Sequence, residues 1–201
     1  PDLSLVLDRI RNKRERASVE EHLQQAFPDA VFKGKVHAVE HHIAHLSSAF
    51  HVSPFEKAVV VSVDGFGDFA SAAWGVGKGI EIDVEDRVYF PHSLGIFYQA
   101  LTQYLGFPHY GDEYKVMGLA PYGEPKYLAQ MREIVKLEPD GGYKLNLDYF
   151  RHHREKIDYE WENGSPSVGH LFSEKLIELL GLSRSADQAL EQALELVRSR
   201  D

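Results

Sequence analysis

Hydrophobic positions near the amino terminus indicate two helices and a short strand. Apolar residues recur at helical spacing from Leu3 to Arg16, and Ser18-Val-Glu-Glu21 matches a capping box, which predicts a helix from 19 to about 26. Lys35 to Val39 then predicts a short strand that leads into a histidine-rich helix. We expect that helix to end near Pro54, because proline cannot continue a helix.

The middle of the chain predicts a β-meander. Residues 58–64 begin with an apolar run of small and β-branched side chains without alternation, which is typical of a strand covered on both faces. Strands at about 69–76 and 80–89 follow, joined around Gly77-Lys78-Gly79. Because only short turns separate these segments, we expect neighbouring strands to be antiparallel.

The carboxyl-terminal half predicts mainly helices around one turn-rich segment. Ser93 to Leu105 is the clearest amphipathic helix, and another helix is expected from Pro125 to Lys136. Residues 137–166 are polar and rich in turns, so we expect them to be peripheral. Two closing helices are expected at about 167–181 and 185–199.

Composition is that of an ordinary globular protein. Of the 201 residues, 43% are hydrophobic and 26% are charged, and there is no cysteine. No apolar run approaches the length of a membrane span and no signal peptide is visible, so we expect a cytoplasmic protein without a membrane partner. The net charge of −9 argues against nucleic acid as a partner. Because the first residue is Pro1, we expect a fragment or a processed chain.

The most informative positions are two histidines and an aspartate. His41 and His45 are four residues apart in the expected helix, so their imidazoles project from one face. The apolar strand ends at Asp64, and packing it beside the helix would place that carboxylate next to both rings. Two imidazoles and one carboxylate with open positions suit a divalent transition metal. The alternative is a helix whose histidines are exposed or hydrogen-bonded to the sheet.

Two glycines and a Glu–Lys pair are further candidates for ligand contacts. Gly65 and Gly67 can adopt positive φ, which would let a phosphate approach the backbone, although a tight hairpin also explains them. Glu113 and Lys115 stand beside apolar residues. They fit either a short helix with an internal salt bridge or a loop that holds a lysine for an anionic ligand, and residue chemistry alone favours neither.

A set of motifs, in the order in which they occur, gives the chain a family resemblance. They are Glu40-His-His-Ile-Ala-His45, Ser48-Ala-Phe50, Val63-Asp-Gly-Phe-Gly-Asp68, Pro91-His-Ser-Leu-Gly-Ile-Phe-Tyr98, Thr102-Gln-Tyr-Leu-Gly-Phe107 and Glu113-Tyr-Lys-Val-Met-Gly-Leu-Ala-Pro-Tyr-Gly123. Together they cover most of residues 35–135 and resemble the amino-terminal domain of the NodU/CmcH carbamoyltransferases. Those enzymes attach carbamoyl groups to hydroxyls of antibiotics, signalling sugars and related metabolites.

The resemblance implies an α/β fold of the actin/Hsp70/sugar-kinase type, in which ribonuclease-H-like subdomains enclose a nucleotide. The domain would be incomplete and would carry helical additions. Residues 1–34 would form a helical amino-terminal segment, 35–136 the core of a Kae1-like domain with the metal site, and 137–201 a peripheral segment with closing helices. The full enzymes also carry a YrdC-like domain as a partner, and a homodimer is left open.

The resemblance also implies the chemistry. In the full enzymes, carbamoyl phosphate and ATP give carbamoyl adenylate, and the carbamoyl group then passes to a hydroxyl of a small metabolite or sugar. His41, His45 and Asp64 match the family's metal ligands; iron(II) is the expected ion, with manganese or zinc as alternatives. Because segments of the family's domain are absent from these residues, we expect no transfer by this chain alone.

The same resemblance gives roles to the remaining candidates and leaves two competing functions. Gly65 and Gly67 would let the loop approach the phosphate, Lys115 would contribute positive charge, and Glu113 would hold or polarise that lysine. A non-catalytic metal- or nucleotide-binding module is the second hypothesis. A kinase or hydrolase of the same nucleotide-binding fold is the third.

Overall fold

The computed structural model describes residues 18–162 and 165–189, which form a mixed α/β structure as predicted. The helices are α1 (Val19–Ala26), α2 (His41–Phe50), α3 (Leu94–Tyr104), α4 (Glu113–Leu119), α5 (Leu128–Ile134) and α6 (Glu174–Leu180). The strands are β1 (Lys57–Gly67), β2 (Ala70–Lys78), β3 (Glu81–Tyr89), β4 (Val135–Leu137), β5 (Tyr143–Leu145), β6 (Tyr159–Glu162) and β7 (Ser165–Val168). None of the helices in these two ranges is long and apolar enough to cross a bilayer.

The main sheet is an antiparallel meander in the order β1, β2, β3, which confirms the predicted arrangement. β1 and β2 pair regularly as far as Val63 and Ala72, and the register then shifts before the next pair, Gly67 and Ala70. Four residue steps on β1 therefore oppose two on β2. An irregularity of this kind bends the strand and re-aims its side chains, here over residues 64–66.

One face of β1 is exposed, so the expectation that this strand is covered on both faces is wrong. Val59, Val61 and Val63 are 75%, 62% and 53% exposed, whereas Val60 and Ser62 are each 7% exposed. Inward and outward positions alternate as in any half-buried strand. The sequence hides this alternation because valine occupies both faces.

Two groups of buried side chains stabilise the fold. The smaller group lies between α2 and the meander and consists of Leu46, Phe50, Val60 and Ala73. The larger group surrounds α3 and consists of Ile96, Ala100, Tyr104, Ile134, Leu145, Tyr149, Phe150, Val168, Leu171, Phe172 and Leu176. Leu145, Tyr149 and Phe150 fall within residues 137–166, so this segment contributes to the core and is not peripheral as predicted.

The predictions for the helix boundaries met mixed outcomes. The capping box at α1 is confirmed, because the Ser18 hydroxyl accepts the Glu21 N–H at 3.1 Å and the Glu21 carboxylate accepts the Ser18 N–H at 2.7 Å. The helix predicted at 125–136 is shorter, since residues 135–137 pair with β5 instead. The helix predicted at 167–181 begins only at Glu174.

Other predicted elements are absent or fall outside the described part. The strand predicted at Lys35–Val39 is not formed, and this segment pairs with no strand among residues 18–162 and 165–189. The helix predicted at 3–16, and residues 190–199 of the last predicted helix, lie outside the described residues.

Candidate metal centre

The helix α2 begins with a side-chain cap and buries one face. The carboxylate of Glu40 accepts the backbone N–H groups of His42 and Ile43 at 3.2 and 3.0 Å, which satisfies donors that have no partner within the helix. His42, Leu46 and Phe50 recur every four residues and face the sheet. The helix is therefore fixed both at its start and along its inner side.

The adjacent histidines of α2 have different surroundings. His42 is fully buried, and its Nδ1 lies 2.9 Å from the Ser62 hydroxyl. The side chains of His41 and His45 occupy the neighbouring face and are 36% and 51% exposed. Thus His42 belongs to the core, while the pair predicted from the sequence faces outward.

The carboxylate comes from the bulged end of β1. Val60 and Ser62 face α2, and Asp64 continues this alternate series into the irregular part of the strand. Its side chain is 40% exposed, and Oδ1 accepts the Gly65 N–H at 2.6 Å. The second carboxylate oxygen, Oδ2, remains directed at the histidines.

Three atoms that can bind a metal converge at this point. The Nε2 of His41 lies 2.7 Å from Asp64 Oδ2, the Nε2 of His45 lies 3.4 Å from the same oxygen, and the two ring nitrogens are 3.0 Å apart. All three ligand atoms lie within 4.8 Å of one another. The structure therefore brings together the residues that the helical spacing and the strand end predict.

The separations of these three atoms suit a shared cation. Hydrogen bonding also fits them, because a single Nε2–H of His41 can be shared between Asp64 Oδ2 and His45 Nε2. The distances themselves are therefore what bears on a metal. Ligand atoms held about 2.1 Å from one ion stand roughly 3.0 to 3.4 Å apart at octahedral or tetrahedral angles. The separations of 3.0 and 3.4 Å match this range, and the 2.7 Å pair needs only a small opening.

The electrostatics favour the ionised forms of Asp64 and Glu40. Burial alone would raise the pKa of Asp64, but the hydrogen bonds from His41 and the Gly65 N–H outweigh it, so the pKa is lowered. Burial likewise acts to raise the pKa of Glu40, and the N–H groups of α2 together with Arg87 overcome it and lower the pKa. An ionised carboxylate is the form that binds metal.

The two predicted glycines play different steric parts. A Cβ at Gly67 would lie 2.0 Å from Cδ2 of His41, whereas a Cβ at Gly65 would meet no atom within 4 Å. Neither glycine has positive φ; the left-handed residues of this turn are Asp68 and Phe69, at 50° and 70°. The prediction that the glycines supply positive φ is therefore wrong. The position of the His41 ring leaves no room for a side chain at residue 67, whereas the space beside Gly65 is open.

The start of α3 supports Asp64 from the other side, and sequence reasoning missed it. The hydroxyl of the buried Ser93 lies 2.7 Å from the Gly65 carbonyl and 3.1 Å from that of Asp64, and it accepts the Ile96 N–H at 3.0 Å. A Cβ at Gly95 would lie 2.6 Å from the Gly65 nitrogen, so α3 approaches the loop closely. A serine before an amphipathic helix is an N-cap signal, but nothing in it indicates this second role.

The predicted partnership of Glu113 with Lys115 is wrong. The Lys115 Nζ lies 2.5 Å from Oδ1 of Asp112, a residue that is only 6% exposed. Glu113 instead accepts the Tyr98 hydroxyl at its backbone carbonyl, at 3.5 Å. The short-helix alternative thus describes the local geometry, with Asp112 as the acid. A catalytic role for either residue stays a prediction.

The fold and the cluster together define the domain as a candidate metal-binding α/β domain. The chain matches the family described as carbamoyltransferase N-terminus over residues 7–185, and it belongs to that family. The family resemblance drawn from the sequence motifs is therefore confirmed.

Relatives in the same family are longer proteins. The chain is 42% identical over 129 residues to nodulation protein NolNO of Sinorhizobium fredii, a match covering 63% of this chain and 18% of that protein. It is 45% identical over 113 residues to nodulation protein NolO of Bradyrhizobium diazoefficiens, covering 55% and 20%. An uncharacterized protein of Synechocystis is 45% identical over 114 residues, covering 56% and 18%. The chain thus spans about a fifth of the length of these relatives.

Proposed function

We propose that this chain forms the metal-binding part of an O-carbamoyltransferase. The observation that carries the proposal is the convergence of His41 Nε2, His45 Nε2 and Asp64 Oδ2 in a member of the carbamoyltransferase N-terminus family. Two imidazoles and one carboxylate suit iron(II), manganese or zinc, and this donor set leaves positions open for an oxygen ligand.

The proposed reaction moves a carbamoyl group from carbamoyl phosphate, by way of a carbamoyl adenylate made with ATP, to a hydroxyl of a small metabolite or sugar. A bound divalent ion would supply Lewis acidity towards an oxygen of the donor. His41, His45 and Asp64 would hold that ion, and Gly65 leaves the space beside Asp64 open because no atom lies within 4 Å of where its Cβ would be. The Ser93 hydroxyl holds the backbone of Asp64 and Gly65 in place by hydrogen bonds to their carbonyl groups.

The wider architecture belongs to the same proposal. A ribonuclease-H-like fold with a nucleotide site and a YrdC-like domain elsewhere in the whole protein follow from the family resemblance, and the proposal includes a cytoplasmic location. The antiparallel meander with α2 on one face supports an α/β domain of this kind. We keep Lys115 as a candidate contact for an anionic substrate, since its side chain is 37% exposed beside Asp112.

The first test is metal binding by the purified chain. Wild-type protein, His41→Ala, Asp64→Ala and the control His51→Ala are titrated with Fe(II) under anaerobic conditions. His51 is an exposed histidine that directly follows α2, outside the cluster. We expect one ion per wild-type chain, the same for His51→Ala, and lost or strongly weakened binding in the other two variants.

The second test separates an enzyme from a binding module. In the whole protein that contains this chain, Asp64→Ala should abolish carbamoyl transfer from carbamoyl phosphate and ATP. Transfer at the wild-type rate by a variant that binds no metal would refute the proposed role. Phosphate release from ATP without carbamoyl phosphate, lost in Asp64→Ala, would instead favour a kinase or hydrolase.

A further inference from the structure

The turn between β1 and β2 is held in an unusual backbone conformation. It consists of Asp68 and Phe69, between the paired residues Gly67 and Ala70. Positive φ at both central residues, 50° and 70°, is the pattern of a type I′ hairpin turn. Aspartate tolerates this region, but a bulky phenylalanine rarely enters it. Contacts around the turn must therefore maintain it.

Asp68 makes such a contact with the start of α2. Its Oδ2 accepts the backbone N–H of His41 at 3.1 Å. His41 is the first residue of α2, so this N–H has no partner within the helix. Glu40, which directly precedes α2, accepts the next two N–H groups, those of His42 and Ile43. The hydrogen bond from His41 to Asp68 instead connects α2 to the turn between β1 and β2.

This tie acts on the distances within the metal centre. His41 lies on α2 and Asp64 on β1, so the separation of their ligand atoms depends on how helix and strand are held together. Gly67 lies against the His41 ring, and Asp68, the next residue, holds the His41 backbone. The ring and the backbone of His41 are thus both held by the end of β1, the same strand that supplies Asp64.

We infer that Asp68 is a positioning residue of the metal centre. It holds the His41 backbone so that the imidazole and the Asp64 carboxylate face the same point, and its hydrogen bond is to the His41 main-chain N–H. The inference rests on the proposed metal centre. Partners outside the ligand set typically contribute about 10- to 100-fold to metal affinity. We expect the lower end, about tenfold, because Asp68 is exposed and Glu40 still caps the helix.

The test uses Co(II), whose visible absorption reports on coordination geometry as well as on occupancy. Asp68→Gly removes the carboxylate, and glycine suits φ 50°. Asp68→Asn keeps an acceptor oxygen and tolerates the left-handed region. We expect Asp68→Gly to bind Co(II) about tenfold more weakly with an altered spectrum. Asp68→Asn should stay within about threefold of wild type, because a neutral acceptor is weaker but still present.

The matched control is Asp140→Gly. Asp140 Oδ1 accepts the Gly142 N–H at 2.9 Å in the turn between β4 and β5, so this variant also removes a carboxylate and one turn hydrogen bond. It should bind Co(II) as wild type does. Thermal unfolding is measured for every variant, and Co(II) affinities are compared among the variants that fold.

The outcomes separate the inference from the proposed function. Wild-type affinity and spectrum in Asp68→Gly would overturn the positioning role, and so would an equal loss in Asp140→Gly. Wild-type protein that binds no Co(II) would overturn the metal centre itself, and the inference with it. Weak binding confined to Asp68→Gly, with recovery in Asp68→Asn and unchanged unfolding temperatures, supports the inference.

Discussion

Replacing Gly67 by alanine adds one methyl group where β1 touches the His41 ring. The added Cβ would lie 2.0 Å from Cδ2, 2.1 Å from Cγ and 2.5 Å from Nε2 of His41. Carbon atoms in contact stand about 3.5 to 4.0 Å apart, so the ring must move by roughly 1.5 to 2 Å. Metal–ligand distances tolerate only about 0.2 Å. We therefore expect Gly67→Ala to remove His41 from the metal centre.

The cost should fall on metal affinity more than on folding. Overpacking a site usually costs roughly 1–3 kcal/mol. The His41 side chain is 36% exposed and can swing towards solvent, so we expect the lower end for Gly67→Ala, about 1 kcal/mol. Loss of one of three protein ligands should weaken metal binding about 100-fold, which is roughly 2.8 kcal/mol at about 1.4 kcal/mol per tenfold change.

Gly65→Ala is the matched control for this experiment. It makes the same substitution two residues earlier in β1, where the new Cβ meets no atom within 4 Å. Both variants and the wild type are titrated with Mn(II) by calorimetry and unfolded thermally. Gly65→Ala should bind as the wild type does. Wild-type affinity in Gly67→Ala, or an equal loss in both variants, would refute the role given to the contact between Gly67 and His41.

Two further predictions concern the stability of the fold. The Tyr149 hydroxyl donates a hydrogen bond to Glu133 at 2.5 Å, and this bond, together with burial, raises the pKa of Tyr149 to about 12. That stabilisation is complete below the ordinary tyrosine pKa of about 10 and is lost as pH rises towards the folded-state pKa. The free energy of unfolding, measured with urea, should therefore fall over this pH window, and it should fall less steeply in Tyr149→Phe. Val60→Ala should cost about 2 kcal/mol and Val61→Ala less than about 0.5 kcal/mol, because these residues are 7% and 62% exposed; equal losses would contradict the assigned faces of β1.

The cluster could be predicted because each part of it depends on local spacing. Residues four apart on a helix share a face, which is why His41 and His45 could be paired from the sequence alone. An acidic residue directly after an apolar run predicts a strand end, and this singled out Asp64; regular pairing does stop at Val63, although β1 itself continues to Gly67. The sequence did not separate His42 from its neighbours, because the side of α2 that faces the sheet is fixed by tertiary packing.

The remaining features depend on contacts that no local pattern contains. The exposed valines of β1 look like core residues, since exposure is decided by which elements cover a face. Lys115 pairs with Asp112 because a one-turn separation on the helix places their side chains together, whereas Glu113 points elsewhere. The contact of Asp68 with His41 joins residues 27 positions apart, so it became visible only once helix and strand were placed.

The backbone packs closely around the side chains of the cluster, although these side chains are partly exposed to solvent. His41, His45 and Asp64 are between 36% and 51% exposed, so packing gains little from fixing their positions. Yet glycine is required on both sides, at Gly67 against the His41 ring and at Gly95 against the backbone of the Asp64 loop. Glycine at these positions costs backbone entropy on folding. Beside Gly95, Phe66 packs against the buried residues around α3, so ordinary packing offsets part of that cost. Beside Gly67, the fixed ligand distances that the proposed metal centre requires give a reason for it.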